Sequence, residues 1–239
     1  MDKPIDLLIH GAGGRMGAAL RRLAATDARV RVVACVSRRG EAPAGEPAWL
    51  PATRLADAPA FEVAIDFSLP EAFDPLLALC RARGAALVSG TTGLSPAQRD
   101  ALDDAASTIP VVWASNYSLG VAVLTELVRR AAQALPGWDA DIVEAHHVHK
   151  KDAPSGTALT LGRAVADGRG SEPHYASLRA GDIVGEHTVQ LSGPGERLEL
   201  IHRATDRDIF ARGALEAAVR MRGLPAGRHA LAHLLFAPD

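Results

Sequence analysis

The sequence predicts an α/β chain in two parts: a domain built on a mostly parallel sheet, and a second, α+β domain with a mixed open sheet. Three observations carry this. Up to about Asn116, short apolar runs alternate with segments of helical periodicity, as expected when right-handed crossovers place helices on both faces of a parallel sheet. A glycine-rich turn joins the first apolar run to the first helix. Beyond Asn116 the alternation gives way to a long amphipathic segment and then to neighbouring extended stretches linked by turn residues. With 239 residues, the chain is long enough for two domains that each bury a core.

Taken in order, Ile5 to Ile9 reads as the first strand, and the turn after it opens RMGAALRRLAA, whose Met16, Leu20 and Leu23 recur at helical spacing. Val30 to Val36 and Val63 to Phe67 read as the next strands, separated by a Pro, Gly and Ala-rich connection from Gly40 to Pro59 that reads as loop. A helix from about Pro70 to Arg83, a strand at Ala86 to Val88, a helix from Pro96 to Ser107 and a strand at Val111 to Trp113 complete the alternation. The second part begins with an amphipathic helix, Leu119 to Leu135, and a strand at Asp141 to Ala145. Ile183 to Leu191 and Arg197 to His202 then read as antiparallel neighbours joined by the turn-forming SGPGE. A last helix at about Arg207 to Arg222 and the tail LAHLLF are expected to return to the first domain.

Composition narrows the function. A net charge of -2 and a pI near 6.5 supply no global basic field for nucleic acid or an anionic membrane, so an anionic partner must be held locally. Cys35 and Cys80 have neither zinc-site spacing nor the density of a secreted scaffold, which points to a reducing, cytoplasmic setting. The start, MDKPIDLLIHGAGG, resembles neither a signal peptide nor a membrane span, and a soluble protein is expected.

The first turn, His10 to Gly17, stands where a nucleotide pyrophosphate meets backbone N–H groups and the positive end of a helix, as in a Rossmann-like domain. Its glycines at 11, 13, 14 and 17 depart from G-x-G-x-x-G, so its position counts for more than its pattern. Gly11 and Gly13 would allow close approach of a ligand, and Gly17 would serve packing. At the tip of the second strand an acidic residue selects NAD and a basic one accommodates the phosphate of NADP. Here the strand ends Ser37-Arg38-Arg39, so NADPH is expected to be preferred over NADH, with Arg38 as the better 2'-phosphate contact. SGTTG at Ser89 to Gly93 and ASNYS at Ala114 to Ser118 also follow strands, at the sheet edge where ligands bind.

The densest chemistry lies in EAHHVHKKDAPSGT, Glu144 to Thr157. Among 26 basic residues only Lys3, Lys150 and Lys151 are lysines, and two of these flank the histidines. Lysine, unlike arginine, can be tuned into a proton donor, and histidine exchanges protons near neutral pH. The plain alternative is a solvated basic loop. Ser155 begins another helix, yet Ala158 stands where a capping box would place Glu or Gln, so the first helical N–H groups are expected to be open to a carboxylate beside Lys150 and His147. A metal site of His146, His147, His149 and Glu144 is disfavoured: on a strand His146 faces away from the other two histidines, and the lysines would repel a cation. His174, His187 and His202 read as ordinary polar or core histidines.

These motifs, in order, resemble the 4-hydroxy-tetrahydrodipicolinate reductase (dihydrodipicolinate reductase) family over nearly the whole chain. The likeness rests on GAGGRMG, DFS-x-PE at Asp66 to Glu71, GTTG, SNYS-x-G, EAHH-x-HK-x-DAPSGTA and RAGDIVGEHT at Arg179 to Thr188. It implies an NAD(P)H-dependent oxidoreductase of lysine biosynthesis, acting on a small dianionic substrate as a homotetramer. It further implies a dinucleotide-binding domain over 1–117 and 207–239, and a substrate-binding and tetramerisation domain over 118–206. By the resemblance, His146 is the catalytic proton donor or acceptor and Lys150 the second proton donor, with His147, Ser155, Gly156 and Thr157 holding substrate. Cofactor contacts would come from Gly11, Ala12, Gly13, Gly14, Arg15 and Met16, with Arg38 for NADP. Gly90, Thr91 and Thr92, and then Ala114, Ser115, Asn116 and Tyr117, would complete them. The chain departs from the pattern at Ser37, where many members carry Glu, and at Leu69, where some carry Arg. The residues taken without the resemblance leave two alternatives: a catalytically inactive NADP(H) sensor, or another two-domain imine or amino-acid dehydrogenase.

Overall fold

The computed structural model describes residues 3–38 and 47–236; Arg39 and the stretch 40–46 of the long connection lie outside them. In chain order the elements are β1 (Ile5–His10), α1 (Arg15–Ala24), β2 (Val30–Ser37), β3 (Ala48–Pro51), β4 (Val63–Asp66), α2 (Phe73–Arg83), β5 (Ala86–Ser89), α3 (Pro96–Ala105) and β6 (Pro110–Trp113). They continue with α4 (Leu119–Ala134), β7 (Asp139–His146), α5 (Gly156–Arg169), β8 (His174–Arg179), β9 (Gly185–Gly193) and β10 (Glu196–Ala204). The last are α6 (Asp208–Arg220), β11 (Gly227–Arg228) and α7 (Leu231–Phe236). The chain divides into two compact units, Met1–Tyr117 with Phe210–Asp239, and Ser118–Ile209.

The first unit is a seven-stranded sheet in the order β11-β6-β5-β4-β1-β2-β3, parallel at every pairing. Its central strands, β1, β4 and β5, are buried on both faces and so read as continuous apolar runs. Leu8, Ala64, Leu87 and Val111 face the layer of α2 and α3, packing with Phe73, Leu76 and Leu102. The two-residue period sends Leu7, Ile9, Ile65 and Val88, also fully buried, to the opposite face, where α1 lies on β1 and β2. Each such side chain contributes about 1.5–3 kcal/mol on burial. The strand order reverses between β1 and β4, the switch point of a Rossmann-like domain, and there His10 and Asp66 stand side by side in register.

Besides the two-residue β11, two strands escape the apolar pattern. The connection expected to be loop up to Pro59 contains β3, paired in parallel with Ala34 to Ser37, and then a 3-10 stretch, Ala52–Asp57. Short, ending in proline and at the sheet edge, β3 gains its order from β2 rather than from alternation. In the second unit β8, also unforeseen, is an edge strand with mostly exposed side chains.

The second unit is a four-stranded mixed sheet, β10-β9-β7-β8, with β7 and β8 parallel and the other pairs antiparallel. Ala140 and Ile142 of β7 and Val189 and Leu191 of β9 pack on Leu124 and Val128 of α4 and Leu161 and Val165 of α5. This core fixes β7 and the start of α5 with respect to one another. Both carry candidate site residues.

Candidate active site

In the first unit the turn after β1 is shaped for a ligand. Gly11 has φ +78, and a Cβ there would lie 2.4 Å from the Phe67 carbonyl oxygen, so only glycine fits. A Cβ at Gly17 would stand 2.4 Å from Gly11 O, so this glycine lets α1 close beneath the turn. The Ala12 N–H donates to Val36 O (2.9 Å) and the Gly14 N–H to Gly11 O (3.0 Å), so these two amides serve the turn itself. At α1 the N-cap, Gly14, offers no side-chain cap, and no acidic residue occupies the first turn that begins with Arg15 and Met16. The helix start keeps its positive end for an anion. Beside it lies a cavity of about 870 Å³, lined by Gly13, Gly14, Ser37, Arg38, Trp49 and Leu69. An unscreened helix start and close-approach glycines, with Arg38 also in the lining, fit the pyrophosphate of a dinucleotide.

Trp49 was not legible as a site residue. Its indole N–H donates to Ser37 Oγ (3.0 Å), and the Arg21 guanidinium lies 4.9 Å from its ring centroid.

The loops after β4 and β5 are tied together by a carboxylate. Asp66, fully buried, accepts from Ser89 Oγ (2.9 Å), Thr91 Oγ1 (2.7 Å) and the Ser68 N–H (3.1 Å), and pairs with His10 Nδ1 (2.9 Å). Burial works against ionisation, yet His10 and the Ser68 and Thr91 hydrogen bonds hold the carboxyl below the usual range. The Thr91 side chain is therefore committed to the protein, while its carbonyl accepts from Trp113 Nε1 (2.9 Å). Tyr117 is likewise buried, its hydroxyl donating to Ser89 O (2.8 Å). Any cofactor contact at Tyr117 falls to the backbone, whereas the Thr91 N–H is itself engaged, donating to Ser89 Oγ (3.3 Å). Gly90 packs on the Phe67 ring, where a Cβ would lie 2.2 Å away, and Thr92, Ala114, Ser115 and Asn116 continue the two loops at the carboxyl edge of the sheet.

In the second unit the histidine stretch begins at the end of β7. Glu144 and His146, two residues apart on that strand, share a face. Glu144 is buried, and its carboxylate accepts from both terminal nitrogens of Arg179 (2.8 and 3.0 Å), from the Ser155 N–H (3.2 Å) and from His146 Nδ1 (2.5 Å). Burial works against ionisation, yet the Arg179, Ser177 and His146 hydrogen bonds prevail and hold the carboxyl at about 2. Since an ionised carboxylate only accepts, His146 carries its proton on Nδ1, and Nε2 is the nitrogen left to gain or lose one. Burial lowers the His146 pKa below 6.5, with Lys150 and Arg179 acting in the same sense and Glu144 opposing them.

The start of α5 is capped differently from the expectation. Ser155 Oγ accepts from the Ala158 N–H (3.2 Å), so that amide is not open to substrate. Ala158 cannot return the second bond of a capping box, and Glu144 supplies it from β7 by accepting the Ser155 N–H. Gly156 and Thr157 follow in the first turn, with no acidic residue there. Lys150 is held by Asp152 (2.9 Å), and its N–H donates to His147 O (3.1 Å). The His147 and His149 rings lie 6.1 Å apart, while His149 and Lys151 are exposed.

His187 does not stand alone, contrary to the sequence reading. Its ring lies 5.2 Å from that of His146, and its Nε2 is 3.1 Å from Ser155 Oγ. Burial, reinforced by His146, pushes its pKa down to about 4, so it is neutral near pH 7. Arg179, His187 and Gly185 all fall in RAGDIVGEHT, a motif that marked them as a group without separating their roles. A Cβ at Gly185 would lie 3.0 Å from His146 Nε2, so the glycine leaves room at that nitrogen.

Comparison with known proteins follows the same division. The family model for the dihydrodipicolinate reductase N-terminus matches residues 5–117, and that for the C-terminus matches residues 120–235. The 4-hydroxy-tetrahydrodipicolinate reductase of Stenotrophomonas maltophilia (strain R551-3) is 66% identical over 238 residues, covering 97% of this chain and 98% of its own. The enzyme of that name from Xanthomonas axonopodis pv. citri (strain 306) is 64% identical over 235 residues, with 97% and 98% coverage. Among solved structures, a dipicolinate-bound dihydrodipicolinate reductase from Paenisporosarcina sp. TG-14 shares the fold, with TM-score 0.86 at 20% identity, covering 98% of this chain and 100% of that one. With both halves matched, and the glycine turn and histidine strand each in their place, the chain belongs to the dihydrodipicolinate reductase family.

Proposed function

We infer that this protein is a 4-hydroxy-tetrahydrodipicolinate reductase. It converts (2S,4S)-4-hydroxy-2,3,4,5-tetrahydrodipicolinate to tetrahydrodipicolinate and water with NAD(P)H, in lysine (diaminopimelate) biosynthesis. The carrying observation is the His146 ring bound through Nδ1 to an ionised, buried Glu144, in a family whose members at 64–66% identity bear that enzyme name. Bound NAD(P)H supplies the hydride. His146 exchanges a proton at Nε2, and Lys150, held by Asp152, is the second donor. His147, Gly156 and Thr157 hold a substrate carboxylate at the start of α5, where the helix dipole adds to the hydrogen bonds. The first unit binds the dinucleotide, and the second binds substrate and assembles the homotetramer.

NADPH is the preferred coenzyme in this reading. Arg38 lines the cavity at the end of β2, and Ser37 places no carboxylate against a 2'-phosphate. A coupled assay, in which the preceding synthase supplies its unstable product and NADPH absorbance is followed, tests the function directly. Wild-type protein should oxidise NADPH, and His146→Gln and Lys150→Met should each lower kcat by about 10²-fold or more. No oxidation by folded, NADPH-binding wild type would favour a sensor, and near-normal turnover in both variants would remove the two residues from the chemistry. Arg38→Ala should raise KM for NADPH about tenfold while moving KM for NADH little; equal changes would refute the coenzyme assignment.

A further inference from the structure

We propose that Glu144 is the positioning residue of this site: it fixes the tautomer and orientation of His146 and, by accepting the Ser155 N–H, sets the start of α5 against that ring. The proposal deepens the reading of His146 as the proton-exchanging group and rests on it.

Four observations support it. Glu144 is fully buried, so its geometry is set by the protein rather than by solvent. It touches both parts of the site, His146 Nδ1 at 2.5 Å and the Ser155 N–H at 3.2 Å. Arg179 clamps both of its oxygens from the end of β8, and this permanent charge keeps the carboxylate ionised whatever the state of His146. The other groups facing His146 leave the role to Glu144: His187 meets it edge-on at 5.2 Å between centroids with its own Nε2 on Ser155, and Lys150 is engaged with Asp152.

An imidazole that can turn or change tautomer offers its proton in the wrong place, and a carboxylate on the opposite nitrogen prevents both. It also stabilises the imidazolium that forms when Nε2 takes a proton. Because the same carboxylate completes the cap of α5, the proton group and the carboxylate-holding helix start share one reference point.

Two experiments test this on the full chain. In ¹⁵N-histidine-labelled wild type at pH 8, without ligand, long-range ¹H–¹⁵N spectra should show His146, assigned by loss of its signals in His146→Gln, as the Nδ1–H tautomer. A dominant Nε2–H tautomer would overturn the proposal. In the coupled assay Glu144→Gln should lower kcat about 10²-fold, with the limb of the pH profile that belongs to His146 moved to lower pH, and Glu144→Asp should regain part of that loss. A kcat within threefold of wild type and an unmoved profile would equally overturn it. Should Glu144→Gln fail to fold, the tautomer measurement decides alone. That measurement needs no turnover, so failure of the reductase assignment in wild type is read separately.

Discussion

Each unit buries a carboxylate at or near the carboxyl end of a strand and sets a histidine on it, yet the two clusters are built differently. Around Asp66 three uncharged donors, Ser68, Ser89 and Thr91, join His10, and all belong to the neighbouring strands β1, β4 and β5 and the loops that follow them. Around Glu144 the largest partner is a guanidinium brought in from β8, and the histidine sits beside a glycine that keeps its second nitrogen clear. The first arrangement draws loops together. The second clamps its carboxylate with a permanent charge and holds one ring by Nδ1, with room left at Nε2. A buried acid with a histidine is thus no signature of proton chemistry by itself; the proposal for Glu144 rests on what the other partners do to the acid.

The most severe way to break the contrast is Arg179→Ala, which leaves a buried carboxylate without its permanent counter-charge. It should cost about 3–5 kcal/mol in urea unfolding and lower kcat as well, whereas a loss below about 1 kcal/mol would show that Arg179 is not what sustains Glu144. Asp66→Asn, which keeps an acceptor, should cost less, about 1–3 kcal/mol. It should weaken NADPH binding through the loosened loops and leave the pH profile of kcat where it was; a moved profile would erase the distinction.

A further test of the second cluster is its acid stability. The folded state holds His187 at about 4 against an ordinary 6.5, so the unfolded chain takes up that proton first, and stability present above pH 6.5 is lost as pH falls toward 4. Glu144, at about 2 against 4.5, gives up its contribution only between about pH 4.5 and 2. His146 and His202, both lowered by burial, act in the same direction as His187. His187→Gln should flatten the upper stage by at most about 1.4 kcal/mol per pH unit and spare the lower one, as read from denaturation midpoints across pH. An unchanged upper slope would place His187 outside the buried cluster.

Much of this was legible in the sequence, because buried parallel strands and amphipathic helices write their periods directly, and the histidine stretch and glycine turn each lie at an element junction. Trp49 and β3 were not, since an edge strand of Ala, Trp, Leu and Pro owes its order to β2. Glu144 was visible as a neighbour of the histidines, but its central place depends on Arg179 and Ser155, 35 and 11 residues away, which only the fold brings to it. His187, read as an ordinary polar or core histidine, is indeed buried, but its neighbours were hidden for the same reason: the register of β9 against β7 sets it opposite Glu144. Thr91 and Tyr117 show the reverse case, residues that match a cofactor motif while their side chains serve the scaffold.

The chain has three tryptophans, and the fold sorts them. Trp49 bonds Ser37 at the cavity, Trp113 bonds the carbonyl of Thr91, and Trp138 lies in the other unit, packed against Gly193. The protein therefore carries its own optical labels: two emitters report on the loops of the first unit, and the third records the sheet of the second. With one tryptophan retained at a time, ligand-driven changes in either unit become separable by fluorescence without any added dye.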